Sequence, residues 1–420
     1  MDQLSTHCVI AGGGPAGMMC GLLLARAGVD VWVLEKHKDF LRDFRGDTVH
    51  PSTLMILDEL GLLERFLQKP HQTVTEVTAE FGKETFKVAD MTRLPTRAKF
   101  VALMPQWDFL DFLAEEAKKY PTFHLAMEAE VIELLAKKDR IVGVKVKTPE
   151  GTGDMLARLV IGADGRGSRV REKANLKVRD FGAPFDVLWL RLPVEPSDPT
   201  QPVGRFVNGT LFVMLYRGDY WQCAMVIPKG AFAEIKKEGL SGFQARLRTA
   251  AGFARDRAES IKSFDEVSLL TVKVDRLTRW ARKGLLCIGD AAHAMSPVGG
   301  VGINLAIQDA VAAANILAPI LAKRTPKVAE LARVQKRRTF PVRVVQAVQI
   351  FVQNNVLATT IRNQTTPKPP FPLYLLDRWK WLRQWPARFI GLGVRPEHVK
   401  TKAASITPTE PVTPSDSAPR

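Results

Sequence analysis

The run Gly12-Gly13-Gly14-Pro15-Ala16-Gly17 limits what this chain can fold into more than any other feature. An apolar stretch, residues 7–11, precedes it and reads as a short buried strand. Residues 17–27 read as a helix, Gly28 breaks it, and residues 29–34 read as a second buried strand ending at Glu35. Strand, glycine turn, helix and strand make a βαβ unit. Gly12, Gly14 and Gly17 fit the G-x-G-x-x-G spacing: the first permits a tight turn, the second lets the backbone approach a pyrophosphate, and the third lets helix pack on strand. The helix start adds free N–H groups and the positive end of its dipole. Glu35 stands 18 residues past Gly17, where a carboxylate can accept hydrogen bonds from ribose hydroxyls. A glycine-rich turn alone says little; strand, helix and acid together favour a dinucleotide site.

Further along, apolar spacing predicts helices over 52–68, with Gly61 as a break, and over 107–119. Strands are expected at 128–135 and 141–148, joined by a polar turn, and at 156–162. Alternation dominates 181–275, with strands at 185–192, 209–216, 220–227 and 267–274 and one helix at 240–251. That pattern reads as an antiparallel sheet forming the wall of a second domain. A buried strand at 284–288 leads to a long helix at 302–323. A basic helical stretch from 326 to about 362 should kink or break at Pro341. Residues 403–420 are rich in Pro, Ser and Thr and are expected to be disordered.

Two further segments place an aspartate where a buried strand ends, the position at which open α/β sheets bind ligands. One is Asp164-Gly165, with Ser168 and Arg171 beyond it. The other is Gly289-Asp290, followed by Pro297, Val298, Gly299, Gly300, Val301, Gly302, Ile303 and Asn304. Either aspartate alone also reads as a plain turn. In the second of these segments glycines again open a helix. A reduced flavin is negative near N1 and C2=O, and helix-start N–H groups stabilise that charge.

Taken together, GGGPAG with Glu35, DGRGSRVR at Asp164 and GDAAHAMSPVGGVGINLAIQDA at Asp290 resemble the single-component FAD-dependent aromatic-ring hydroxylases, the p-hydroxybenzoate hydroxylase-like flavin monooxygenases. The likeness spans roughly residues 5–320 in matching order. Arg45 in FRGDTVHPST and Gln106 in MPQWDFLDFL extend it. The resemblance implies an α/β fold, α+β overall. Its Rossmann-type FAD-binding domain would comprise 1–75, 106–180 and 276–325, and an antiparallel-sheet substrate domain 76–105 and 181–275. A helical C-terminal region, 326–402, and the tail 403–420 would complete it.

The resemblance also implies residue roles. Gly12, Gly14, Pro15, Ala16 and Gly17 would line the pyrophosphate. Glu35 would bind the adenosine ribose with Lys36 near the adenine. Arg45 and Gln106 would touch the phosphate or ribitol, and Gly289 and Asp290 the ribitol or pyrophosphate. Pro297, Gly299, Gly300, Val301, Gly302 and Asn304 would run beside the isoalloxazine. Asp164-Gly165 would serve both FAD and a transient NADH or NADPH. The implied cycle reduces FAD with NAD(P)H, adds oxygen at flavin C4a to give a hydroperoxide, and transfers one oxygen atom to an electron-rich substrate.

No protein nucleophile with a partner base and no metal-ligand cluster is evident. His50 and His293 are candidate general bases by location only, and a hydrogen-bonded structural role is favoured for each. Trp189, Phe212, Met214, Trp221 and Met225 are candidates to face the substrate, with the core as their plainer destination. Arg191 could hold an anionic group or a surface salt bridge.

The cysteines at 8, 20, 223 and 287 have neither disulfide nor zinc spacing, so a reducing cytoplasm is expected. The polar start of the chain does not read as a signal peptide, and no stretch of about 18 apolar residues is expected to span a bilayer. The net charge is +16, yet no nucleic-acid motif occurs and no such partner is expected. Residues 361–402 carry nine Lys/Arg against two Asp/Glu, a net of +7. Within them Trp379, Trp381 and Trp385 alternate with Arg378, Lys380, Arg383 and Arg388. That mixture suits contact with the inner face of a membrane; a helix packed on the body with its cations outward is the favoured reading. Such contact would fit a lipophilic substrate. Two other functions remain open: an FAD-dependent prenyl reductase and a non-catalytic FAD-containing interaction protein. A flavin-dependent halogenase would need tryptophans where Cys223 and Met225 stand.

Overall fold

The computed structural model describes residues 4–41, 48–363 and 366–404. In chain order, β1 (Leu4–Ala11), α1 (Pro15–Arg26) and β2 (Val31–Leu34) form the opening βαβ unit. α2 (Pro51–Glu59) and the hairpin β3 (Glu76–Phe81) and β4 (Glu84–Asp90) follow. Next come α3 (Gln106–Ala117), β5 (Phe123–Ala126), β6 (Glu130–Lys137), β7 (Arg140–Thr148) and β8 (Gly151–Gly162). The second half holds β9 (Phe185–Pro193), β10 (Val203–Val207), β11 (Thr210–Tyr216), β12 (Tyr220–Pro228), α4 (Gly239–Ala250), β13 (Ser268–Leu270) and β14 (Leu285–Cys287). α5 (Gly302–Leu321), α6 (Val328–Val352), α7 (Phe371–Arg378) and α8 (Gln384–Gly391) complete it.

The first sheet runs β14-β8-β1-β2-β5, parallel throughout, with Ala281–Arg282 antiparallel beside β14 and the β6–β7 hairpin extending from the long strand β8. Strands buried on both faces read as continuous apolar runs, and Cys8, Val9 and Ile10 with Leu159, Val160 and Ile161 are fully enclosed. The second sheet runs β13-β9-β12-β11-β10-β3-β4. It is antiparallel except where β10 meets β3, and there Phe206 stacks on Phe81 at 4.4 Å while Arg205 pairs with Glu80.

Residues 52–68 form two helices, α2 and Leu63–Leu67, broken as expected at Gly61, which takes a φ of +72°. Other elements differ from expectation. Only Ser268–Leu270 of the run 267–274 joins the sheet; Asp275–Leu277 pairs instead with Val178–Asp180. α6 continues through Pro341 and ends in a π turn, Gln353–Leu357. The stretch Val298–Leu321 does have the length and hydropathy to cross a bilayer, contrary to expectation; it is mostly buried and forms the core helix α5. Arg45 and residues 405–420 of the tail lie outside the described residues.

The two faces of the second sheet are both apolar. One packs against α4 and the turns after it, and contains Leu188, Leu190, Phe212, Met214, Trp221, Cys223 and Met225. Asp198, in the loop after β9, accepts hydrogen bonds from Arg257 and from Trp221 Nε1 at 2.8 Å. The Arg257 bond, strongest of these influences, holds the Asp198 carboxyl down to about 2. A depressed carboxyl contributes stability above its unfolded pKa of about 4 and loses it as pH falls to about 2, roughly 2 kcal/mol here. Asp198→Asn should therefore flatten the stability profile between pH 4 and 2. Chemical denaturation at pH 7 and pH 3 measures it, and equal acid sensitivity in both proteins would refute the assignment.

Candidate active site

The parallel register brings the three segments together. Ala11 pairs with Gly162 and Gly162 with Cys287, so β1, β8 and β14 end in one row. The turns that leave those ends start at Gly12, Ala163 and Ile288, and each is tied to its neighbour by a backbone bond of 2.8–2.9 Å.

The glycines of the first turn have different reasons to be glycine. Gly12 has a φ of +106°, and a Cβ there would lie 2.5 Å from the Ala163 carbonyl oxygen. A Cβ on Gly17 would run into the Gly12 carbonyl. Gly14, at an ordinary φ of −72°, faces open space, with no atom within 4 Å of an added Cβ. Pro15 and Ala16 begin α1, and Ala16 packs close to Gly289 of the third segment. Glu35, at the end of β2, is buried and accepts from the N–H groups of Gly13 (2.9 Å) and His37 (3.1 Å). Lys36 beside it is exposed, and Gln106 is half-buried in the first turn of α3.

In the second segment Asp164 accepts from Ser168 Oγ (2.5 Å) and Val170 N (3.0 Å), so it closes its own turn. Burial pushes its carboxyl pKa up. Gly165 has a φ of +82° and no neighbour for a Cβ. Arg166 reaches across to the third segment, donating from Nε to Asp290 at 3.2 Å. Arg171 makes a bidentate pair with Asp275, both bonds 3.0 Å.

The third segment turns at Gly299 and Gly300, both at positive φ, before α5. Val301 is buried, Pro297 and Gly302 are half-buried, and Thr48 Oγ1 donates to Gly300 O at 3.2 Å. Asn304 is enclosed; its Oδ1 accepts from His50 N (3.1 Å) and Thr53 Oγ1 (2.7 Å). His50 Nδ1 lies 2.8 Å from the Ile390 carbonyl, which can only accept, so the proton sits on Nδ1 and Nε2 faces Gly300. Burial lowers this ring to about 4, so it is neutral and a weak base.

His293 is not beside this turn. Its Nε2 lies 2.5 Å from Asp309 in a closed network where Arg338 also meets Asp309 (2.9 Å) and Glu397 (3.2 Å). It is 1% exposed, which corrects its candidacy as a general base. The pocket expectation is corrected too. Phe212, Met214, Trp221 and Met225 point away into the core against α4. The opposite face carries Trp189, Phe206, Leu211 and Val213, which, like Val298 of the glycine turn, pack on the cluster of Phe185, Val187, Ala224 and Val226. Arg191 shares that parity, exposed, with its guanidinium 4.6 Å from the Tyr220 ring centroid.

Residues not singled out from sequence hold the turn. Gln349 of α6 donates to the carbonyls of Ser296 (2.8 Å) and Val298 (2.9 Å) and accepts from Ser296 N. Gln346 donates to the carbonyls of Asp275 and Ala294. The signal was the spacing Gln346, Gln349, Gln353, one polar stripe that is wholly buried.

The residues present fit a flavin dinucleotide. Gly14 leaves room for a phosphate against the start of α1. Two buried donors, Asn304 Nδ2 and Arg166 Nη1, have no partner among the described residues. Buried donors are normally satisfied, and a ligand rich in phosphate and carbonyl oxygens would satisfy both. Asp290 is 28% exposed on its side chain and its bond to Arg166 is worth at most about 1 kcal/mol. Asp290→Ala should leave the melting of the apoprotein nearly unchanged while weakening FAD binding about tenfold or more by titration. Unchanged FAD affinity would remove Asp290 from the site.

Residues 5–348 match the family model described as "FAD binding domain". The chain is 32% identical over 374 residues, 88% of each chain, to the 6-methylpretetramide 4-monooxygenase of Streptomyces rimosus. It is 30% identical to the rifampicin monooxygenase of Streptomyces venezuelae, spanning 72% of this chain and 62% of that one. The structure of p-nitrophenol 4-monooxygenase PnpA from Pseudomonas putida DLL-E4 shares the fold, with a TM-score of 0.75 at 20% identity, covering 94% of this chain and all of that one. The chain belongs to the FAD-binding domain family, within the p-hydroxybenzoate hydroxylase-like class that uses FAD and NAD(P)H, and it is an FAD-dependent monooxygenase.

Proposed function

We propose that this monooxygenase hydroxylates an electron-rich, lipophilic aromatic molecule with O2 and either NADH or NADPH. The observation that carries the reading is the packing of Val298, in the glycine turn before α5, against the apolar face bearing Trp189, Leu211 and Val213. A flat ring would fit beside this apolar wall and the Gly299-Gly300 pair, which carries no side chains. The compounds in the relatives' names, 6-methylpretetramide and rifampicin, are aromatic and larger than a single ring. Bound FAD would supply the redox chemistry and the activation of oxygen.

The chain's own contribution is placement. Gly14 and the N–H groups of α1 would receive the pyrophosphate, and Glu35 the ribose with Lys36 beside the adenine. Arg45, Gln106, Asp290 and Asp164-Gly165 would flank the phosphates and ribitol. Gly300, Val301, Gly302 and Asn304 would present donors and the positive end of α5 to the ring's electron-rich edge. The sheet face would exclude water from the reacting atoms. On this reading residues 1–75, 106–180 and 276–325 hold the cofactor, and 76–105 and 181–275 cover the substrate. A cytoplasmic chain touching a membrane from its inner side belongs to the same reading.

The test is turnover by the FAD-loaded protein with a panel of phenols, polycyclic aromatics and isoprenoids. Aromatic ligands should accelerate FAD reduction by NAD(P)H, with oxygen uptake matching hydroxylated product. Reduction of isoprenoid double bonds without oxygen uptake would replace the proposal with a prenyl reductase. Absence of turnover with every reductant would indicate an FAD-containing interaction protein.

A further inference from the structure

The C-terminal arm packs on the body with Arg378, Lys380 and Arg388 outward, as favoured, but its tryptophans face outward too. α7 and α8 are joined by the turn Lys380–Arg383. The buried residue of this stretch is a cation: Arg383 is 7% exposed and donates to Leu376 O (2.8 Å) and Asp377 Oδ1 (3.0 Å). The aromatics are outside. Phe371, Trp379, Trp381 and Trp385 are 71%, 49%, 54% and 65% exposed. Scattered exposed apolar residues need no cause, but four large aromatics within fifteen residues mark an interaction surface.

The arm is anchored on its other side. Ala387 and Leu392 are buried with Met91, Leu94, Val101 and Leu103. Tyr374 meets Phe86 edge-on at 5.1 Å, and Ile390 accepts the His50 hydrogen bond. The anchored underside therefore holds the aromatic side outward. Four exposed cations accompany the aromatics: Lys368, Arg378, Lys380 and Arg388. None of them has an ion pair among the described residues, and the single acid of α7 and α8, Asp377, is taken by Arg383.

We propose that this face docks on a bilayer surface containing anionic lipid, with the indoles at headgroup depth and the cations on lipid phosphates. Charge selects this occupant. A second copy of the chain would set four cations against four, whereas an anionic bilayer complements them. Docking would bring the lipid within one helix, α8, of the Gly300 turn, because Ile390 holds His50 and His50 faces Gly300. The inference stands independently of the reaction catalysed.

The experiment floats full-length, FAD-loaded protein with vesicles of phosphatidylcholine alone or with about 30% phosphatidylglycerol. An anionic surface favours each nearby cation by about fivefold, so binding to the mixed vesicles should exceed binding to neutral ones by tenfold or more and fall with added salt. The triple variant Trp379→Ser, Trp381→Ser, Trp385→Ser should bind about tenfold less, with unchanged FAD content and melting. Arg378→Glu with Lys380→Glu should remove the preference for anionic vesicles. The proposal is overturned if wild-type protein floats with neither vesicle, if the variants bind as wild type does, or if wild-type protein self-associates through this face without binding vesicles.

Discussion

Gly14→Val should yield a folded protein that does not retain FAD. The backbone at Gly14 is extended, at φ −72° and ψ −178°, which a β-branched residue adopts readily. An added Cβ has no protein atom within 4 Å, so the fold should lose little beyond the small N-cap preference for glycine, about 1 kcal/mol. The space it fills is the approach to the start of α1, where the N–H groups are free for an anion. FAD affinity should fall at least about 100-fold, the equivalent of about 2.7 kcal/mol. Gly17→Val is the contrasting case. Its Cβ collides with the Gly12 carbonyl, so it should unfold or strongly destabilise the protein rather than select against ligand. Thermal melting of the apoproteins and FAD titration separate the two. If Gly14→Val retains FAD with normal affinity, the first glycine turn is not the pyrophosphate site.

That contrast shows what a sequence carries about such a site. The spacing of Gly12, Gly14 and Gly17 is a local pattern and could be read directly, together with the strands around it. Whether a glycine serves the fold or a ligand depends on what lies across the turn, and Ala163 comes from a strand 150 residues away. The second sheet illustrates a different limit. Period-two alternation separates residues into two faces but does not say which face meets the ligand. Both faces here are apolar, one covered by α4 and one by the glycine turn and the end of α6. Phe212, Met214, Trp221 and Met225 took the plainer destination, the core. Trp189 sits on the other parity. The residues that fix the glycine turn were hidden for a related reason. Gln346, Gln349 and Arg338 lie in a stretch whose composition is basic and polar, and only its packing reveals them as buried. In the C-terminal arm, composition correctly signalled an unusual mixture of Trp and Arg, but the side facing inward was set by carbonyls of α7 that Arg383 caps.

Arg338→Met should be the most damaging substitution remote from the ligand. Arg338 and Asp309 are fully enclosed. Burial alone would push the Asp309 carboxyl up, yet His293 and Arg338 outweigh it and hold it below the usual carboxylate range. The sign follows: the network stabilises the fold above the unfolded pKa of about 4 and loses that contribution as pH falls below it. Removing Arg338 leaves a buried carboxylate with one cation fewer, and breaking such a pair costs about 3–5 kcal/mol. Methionine keeps most of the volume, so the loss reports charge rather than a cavity. The damage should reach the cofactor, because Asp309 Oδ2 also accepts the Gly289 N–H at 3.0 Å and so holds the turn carrying Asp290. Melting temperature and FAD release should therefore change together. Adding Asp309→Asn to Arg338→Met removes the uncompensated charge and keeps an acceptor for Gly289, so it should recover part of the lost stability. A single Arg338→Met variant that melts like the wild type, or a double variant less stable than the single, would show that the network is not held by this charge balance.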